Sequence, residues 1–159
     1  MALPRLKLTL IALALVVAAG MQTASAARAD GPIVIELVSV TTSLKKTDKK
    51  PTGPSRGDVY FSTSVLYNVR AQFGKPRAAR VGSDRGTVTF VTRATSRVSV
   101  TVTLPGGTLT VRGLVGADGT APVVAGSGRY AGASGALIIK QTGPSTALNL
   151  YRLSYPLSA

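Results

Sequence analysis

Residues 98–104 read Val-Ser-Val-Thr-Val-Thr-Leu, with an apolar side chain at every second position. Successive side chains of a strand point to opposite faces, so this order gives an extended chain one apolar face and one wet face. Pro105-Gly106-Gly107 then supplies a hairpin turn. Thr108 to Leu114 returns, with Leu109 and Val111 inward. The same grammar runs through most of the chain. Ile33 to Val40 is a β-branched run, and Val59, Phe61, Thr63, Val65 and Tyr67 share one face of a strand whose other face carries Asp58, Tyr60, Ser62, Ser64 and Leu66. Thr87 to Arg93, Gly135 to Gln141 and Thr146 to Tyr155 are further strands, the last two joined by the turn Thr142-Gly143-Pro144-Ser145. Beyond residue 26 no segment has the composition of a helix: Thr, Val, Gly and Pro dominate. Seven or eight short strands imply an all-β sandwich or a closed antiparallel barrel, and closure removes the edges that would pair with other copies.

The N-terminus follows a different rule. Arg5 and Lys7 precede an uninterrupted apolar run, Leu8 to Gly20, and Ala24-Ser25-Ala26 follows. Basic start, apolar middle and small-residue end make residues 1–26 a signal peptide, with cleavage after Ala26. The run is short for a membrane span, which needs about 20 apolar residues. The expected product is a secreted or cell-envelope protein: a short tail, 27–31, then one barrel domain, 32–159, with no membrane span. The chain has no cysteine, so the core and the hydrogen-bond ladder must hold it. Cleavage would remove only Arg5 and Lys7 from the 19 basic residues and none of the six carboxylates. The strongly basic remainder would attract polyanions or simply stay soluble. Its densest part is Ser43 to Gly57, with Lys45, Lys46, Lys49, Lys50 and Arg56, read as a long solvated loop that is either a lid over a barrel mouth or a floppy segment.

Absences limit the chemistry. Without His or Cys there is no Ser-His-Asp triad, no cysteine nucleophile, and no His/Cys zinc or haem ligation. No cofactor and no metal is expected. Asp30, Asp48, Asp84 and Asp118 fall in expected tails or loops, which leaves Glu36 and Asp58 at strands. Glu36, amid Val34, Ile35, Leu37 and Val38, is either a partly buried general acid–base group or a solvent-face residue. Asp58, after Gly57, is either a reactive carboxylate or a turn cap. The tyrosines, Tyr60 among them, can line an apolar cavity and orient a polar ligand group. Asn149 and Tyr151 share a strand face, an arrangement suited to a small-ligand pocket or to ordinary packing. Nucleic acid is not an expected partner: export, the lack of Trp and only three Phe argue against stacking. The glycines of 125–130 precede no helix, so they fit a tight turn rather than a dinucleotide site.

Residues 125–135, AGSGRYAGASG, resemble the glycine-rich signature of the allene oxide cyclase-like and dirigent-like barrel family. Gly126, Gly128, Tyr130, Ala133 and Gly135 match it; Ala125, Ser127 and Ser134 replace its Gly, Thr and Arg. Gly57-Asp58 opens a strand as the family's Gly-Asp does, and Gly106 to Gly113 resembles its glycine-flanked strand. The resemblance spans about residues 32–155. It implies a calycin-like, eight-stranded antiparallel barrel, often trimeric, with a central cavity. It also implies a small apolar or phenolic ligand whose cyclisation or coupling is steered by positioning. The strand after Asp58, VYFSTSVLYN, lacks the consecutive acids of dirigent proteins, so no active site is carried over. The weak catalytic candidates are Glu36, Asp58 and Tyr60, and the ligand-binding candidates are Asn149 and Tyr151. The alternative is a non-catalytic module for an extracellular or envelope polyanion, carried by Lys45, Lys46, Lys49, Lys50 and Arg56.

Overall fold

The computed structural model describes residues 32–49 and 53–155. The expected signal peptide, tail and Lys50 lie outside those residues. Eight strands follow in order: β1 (Ile33–Thr47), β2 (Val59–Asn68), β3 (Arg80–Phe90), β4 (Ser96–Leu104), β5 (Gly107–Val115), β6 (Thr120–Gly128), β7 (Ser134–Gly143) and β8 (Thr146–Ser154). Each pairs antiparallel with its sequence neighbour, and β1 pairs with β8, so the sheet closes into an eight-stranded barrel. The described residues contain no helix, and none of them forms a helix long and apolar enough to cross a membrane.

Closure explains the alternation. Val98, Val102, Leu104, Leu109 and Val111 point inward and are buried in one apolar core with Leu37, Leu66, Leu137, Tyr151 and Leu153. One end of the barrel is stoppered. The turn after β6 buries Tyr130 and Ala133 in the core, and Tyr130 Oη donates to Pro105 O at 3.2 Å. Gly128 turns the chain there with φ +57°. A side chain at Gly126 would strike the Tyr130 carbonyl. The glycine signature thus serves to fold an aromatic plug back into the barrel.

Three elements differ from the sequence reading. β1 runs to Thr47, five residues into the expected basic loop, because Ser43 to Thr47 continue pairing with Thr63 to Val59. A bulge at Thr42 re-aims this extension, so Leu44 and Lys46 take inward register positions opposite Ser62 and Tyr60. β3 begins at Arg80 rather than near Thr87, and the unassigned stretch 120–128 is β6.

Candidate functional site

The barrel interior has two unlike walls. β4 to β7 present Val98, Val100, Val102, Leu109, Val111, Val123 and Leu137. β8, β1, β2 and β3 present Asn149, Tyr151, Ser39, Ser64 and Asp84 at inward positions set by the pairs Leu37↔Asn149, Ile35↔Tyr151 and Ser64↔Asp84. Buried polar groups are costly unless partnered, so a polar wall inside an otherwise apolar core marks a place where fold alone does not choose the residues.

Asp84 is the ionisable centre of that wall. Ser39 Oγ donates to its Oδ2 at 3.2 Å. Burial pushes the carboxyl above the usual carboxylate range, and the hydroxyls of Ser64 and Ser39 offset part of that shift. No Lys or Arg forms an ion pair with it; among the described residues the one salt bridge joins Arg70 to Glu36. Tyr151 is fully buried, and its phenol is pushed far above the ordinary tyrosine value by burial first and by the Asp84 charge second. The Asn149 amide lies near enough to offset some of that shift. Even so, neither Tyr151 Oη nor Asn149 Oδ1 has a well-formed hydrogen bond within the protein. Orphaned buried polar atoms are rare, and two on one strand face call for a functional reason.

A cavity of about 550 Å³ opens at the end opposite Tyr130. Leu44, Tyr60 and Val88 give it an apolar wall; Thr41, Ser62 and Gln141 add polar groups. Its size suits a small organic ligand. The register leads from this cavity to the polar wall: Thr41 pairs with Ser64, and Ser64 pairs in turn with Asp84. Asp84 keeps partial exposure, whereas Ser39, Ser64 and Tyr151 are buried.

The structure scatters some residues singled out from sequence and gathers others. Glu36 lies on the outer surface; its carboxylate faces Arg70 Nε at 3.8 Å and its backbone pairs with the Gln72 side chain. Asp58 is buried and accepts from the backbone N–H groups of Lys49 and Ser55, both at 2.7 Å, and from Ser55 Oγ. Tyr60 lines the cavity, edge-on to Phe90, with Lys46 Nζ 5.0 Å above its ring. Asn149 and Tyr151 stand together on the inner face of β8. Lys45, Lys49 and Arg56 are exposed. The sequence places Asp84 in a loop because Gly82-Ser83-Asp84-Arg85-Gly86 has the composition of a turn. What could have revealed it is spacing: Gly82, Asp84 and Gly86 continue the face of Val88.

A family model described as "Allene oxide cyclase barrel like domain" matches residues 38–151. No curated protein matches the sequence. Among solved structures, a pyocyanin demethylase is 22% identical over 77% of this chain and 100% of its own, with TM-score 0.62. The Diels-Alderase AbmU from Streptomyces koyangensis is 20% identical over 84% of this chain and 73% of its own, with TM-score 0.63. A pterocarpan synthase dirigent protein is 12% identical over 78% of this chain and 89% of its own, with TM-score 0.56. At these identities the likeness is one of fold.

Proposed function

The chain belongs to the allene oxide cyclase-like barrel family, and from that premise we propose that it takes a small apolar or phenolic molecule into the open end and steers its cyclisation or coupling. One observation carries this reading: a cavity of about 550 Å³ with an aromatic and aliphatic wall leads by register to the polar wall of Ser64 and Asp84. Tyr60, Leu44 and Val88 would hold the ligand's body, and the polar wall would orient its oxygen. Holding one reactive conformer can by itself lower a barrier substantially. The barrels of the demethylase, the Diels-Alderase and the dirigent protein support the reading by analogy of fold.

A thermal-shift screen tests it. Phenolic and apolar ligands should raise the melting temperature equally at low and high salt, with about 2.7 kcal/mol of stabilisation at a hundredfold excess over Kd. Val88→Trp, which fills the cavity, should abolish the shift without unfolding the barrel. A shift that persists in V88W, or no shift with any such ligand, would overturn the reading. Export and trimeric assembly belong to the same proposal. Secreted protein should begin at Ala27 by intact mass and sediment as three copies; a retained leader or a monomer would count against each.

A further inference from the structure

We propose that Asp84 is the acid–base residue of this barrel, taking the proton of a phenolic or enolic hydroxyl on the bound ligand so that its oxygen can close a ring. The inference rests on the cavity reading above and specifies its substrate class: a molecule with a weakly acidic O–H and, within reach of it, a double bond conjugated to a carbonyl.

Among the described residues Asp84 is the one carboxylate on the inner face of the barrel; Glu36 is outside and Asp58 is held by the backbone N–H groups of Lys49 and Ser55. Around it face Ser39 from β1, Ser64 from β2, Val102 from β4 and, from β8, the phenol of Tyr151. Lys46, at the rim, is held over Tyr60 instead. A carboxylate without a cationic partner, in a partly desolvated site, binds a proton more readily than one in water. That makes it a stronger base for a substrate hydroxyl and, once protonated, a competent donor. Ser39 Oγ, 3.2 Å from Oδ2, and the Ser64 hydroxyl fix the orientation of the carboxylate without neutralising its charge. The deeper Tyr151 hydroxyl and Asn149 Oδ1, neither of which makes a well-formed internal hydrogen bond, offer a donor and an acceptor to a second polar group of the same molecule.

The step balances without a cofactor. The ligand O–H proton passes to Asp84. The freed oxygen pair forms a C–O bond at the far carbon of the conjugated double bond, and that π pair moves onto the carbonyl as an enolate. Asp84 returns the proton to the enolate carbon. The product is an isomer of the substrate, and Asp84 ends as it began.

The test compares 2-naphthol with 2-methoxynaphthalene, which share an apolar body and differ in the donor hydroxyl, by fluorescence titration near neutral pH. The wild type should prefer the naphthol by about tenfold or more, as expected for a hydrogen bond to a charged group. Asp84→Asn should bring the two within about threefold while leaving the methoxy affinity unchanged. The wild-type preference should also fade as pH is lowered through the Asp84 titration, and D84N should show no such fade. Equal binding of both probes to the wild type overturns the role of Asp84 and leaves the cavity reading standing. Should D84N fail to fold, that wild-type comparison and its pH dependence still decide the matter. Binding of neither probe removes the cavity reading, and this inference with it.

Discussion

Asp84 and Asp58 show how one residue type is driven in opposite directions by its surroundings. The folded barrel raises Asp84's proton affinity above that of the unfolded chain, so folding favours the protonated form. Its ionisation therefore subtracts stability as pH rises through its titration, and the loss is complete above it. Asp84→Asn removes that ionisation. The variant should gain melting temperature over the wild type at neutral pH and lose the advantage in acid; a difference independent of pH would mean that Asp84 is not desolvated. Asp58 runs the other way. The N–H of Lys49 comes first among the groups that hold its carboxyl below the usual range; burial opposes this, and the N–H and hydroxyl of Ser55 and the Lys49 charge add to the lowering. Its contribution is present above the unfolded carboxylate range and is lost as pH falls through the lower folded value. Asp58→Ala should lower the melting temperature at neutral pH and speed proteolysis within residues 48–57, with no change in naphthol affinity. The sequence offered Asp58 as either reagent or cap, and its bonds are those of a cap. Asp84 was hidden by neighbours that belong in turns, because residue type alone does not say that a glycine-rich strand is being pressed against its partner.

At the level of elements, that pressing has a visible cause. A methyl group at Gly82 would lie 2.1 Å from the Thr103 carbonyl oxygen, a fixed backbone atom of β4. Gly82→Ala must therefore part β3 from β4, and overpacking of this kind costs about 1–3 kcal/mol. We expect a lowered urea midpoint, and with it a weaker preference for naphthol, because Asp84 moves with β3; an unchanged midpoint would show the contact to be soft. β1 depends on a different device. Its first half faces β8 and its second half faces the cavity, and Thr42 lets the strand change pitch between them. Deleting Thr42 and Ser43 together would remove the bulge, slip the register of the extension by one residue and swing Leu44 and Lys46 outward. The barrel should still fold on its β4–β5 core but lose ligand affinity at least tenfold, read by the same titration. Strands with strict alternation, β4 and β5 above all, were legible in the sequence. The second half of β1 was not, since Lys-Lys-Thr has no apolar period and only its pairing with β2 holds it extended. β6 was missed because Pro122 and its closing glycines read as turn residues; Pro122 is tolerated at an outward position, and β6 pairs with β7 only over Thr120 to Val123.

For the molecule as a whole, the open question is whether its charge and its cavity serve one ligand or two. The chain carries a formal charge of +13, and the described residues form a single ion pair. Among the described residues the excess of basic over acidic side chains is therefore left almost unneutralised. Such a field draws any polyanion and weakens steeply with salt, since screening shrinks its reach from about 10 Å at 0.1 M to about 3 Å at 1 M. The cavity wall is built of Leu44, Tyr60 and Val88, whose attraction for a guest is nearly blind to salt. Lys45 and Arg56 are exposed and stand outside the cavity lining, so they can be changed without touching it. In the double variant Lys45→Gln, Arg56→Gln, affinity for a heparin-like polymer should fall severalfold at low salt, whereas 2-naphthol affinity should stay within about twofold. Saturating polymer should leave naphthol bound in the wild type. Stoichiometric displacement of naphthol by the polymer would instead place both at the open end. The basic rim would then be part of the recognition of an acidic guest, and a polar wall tuned for a neutral hydroxyl would be the wrong description of the site.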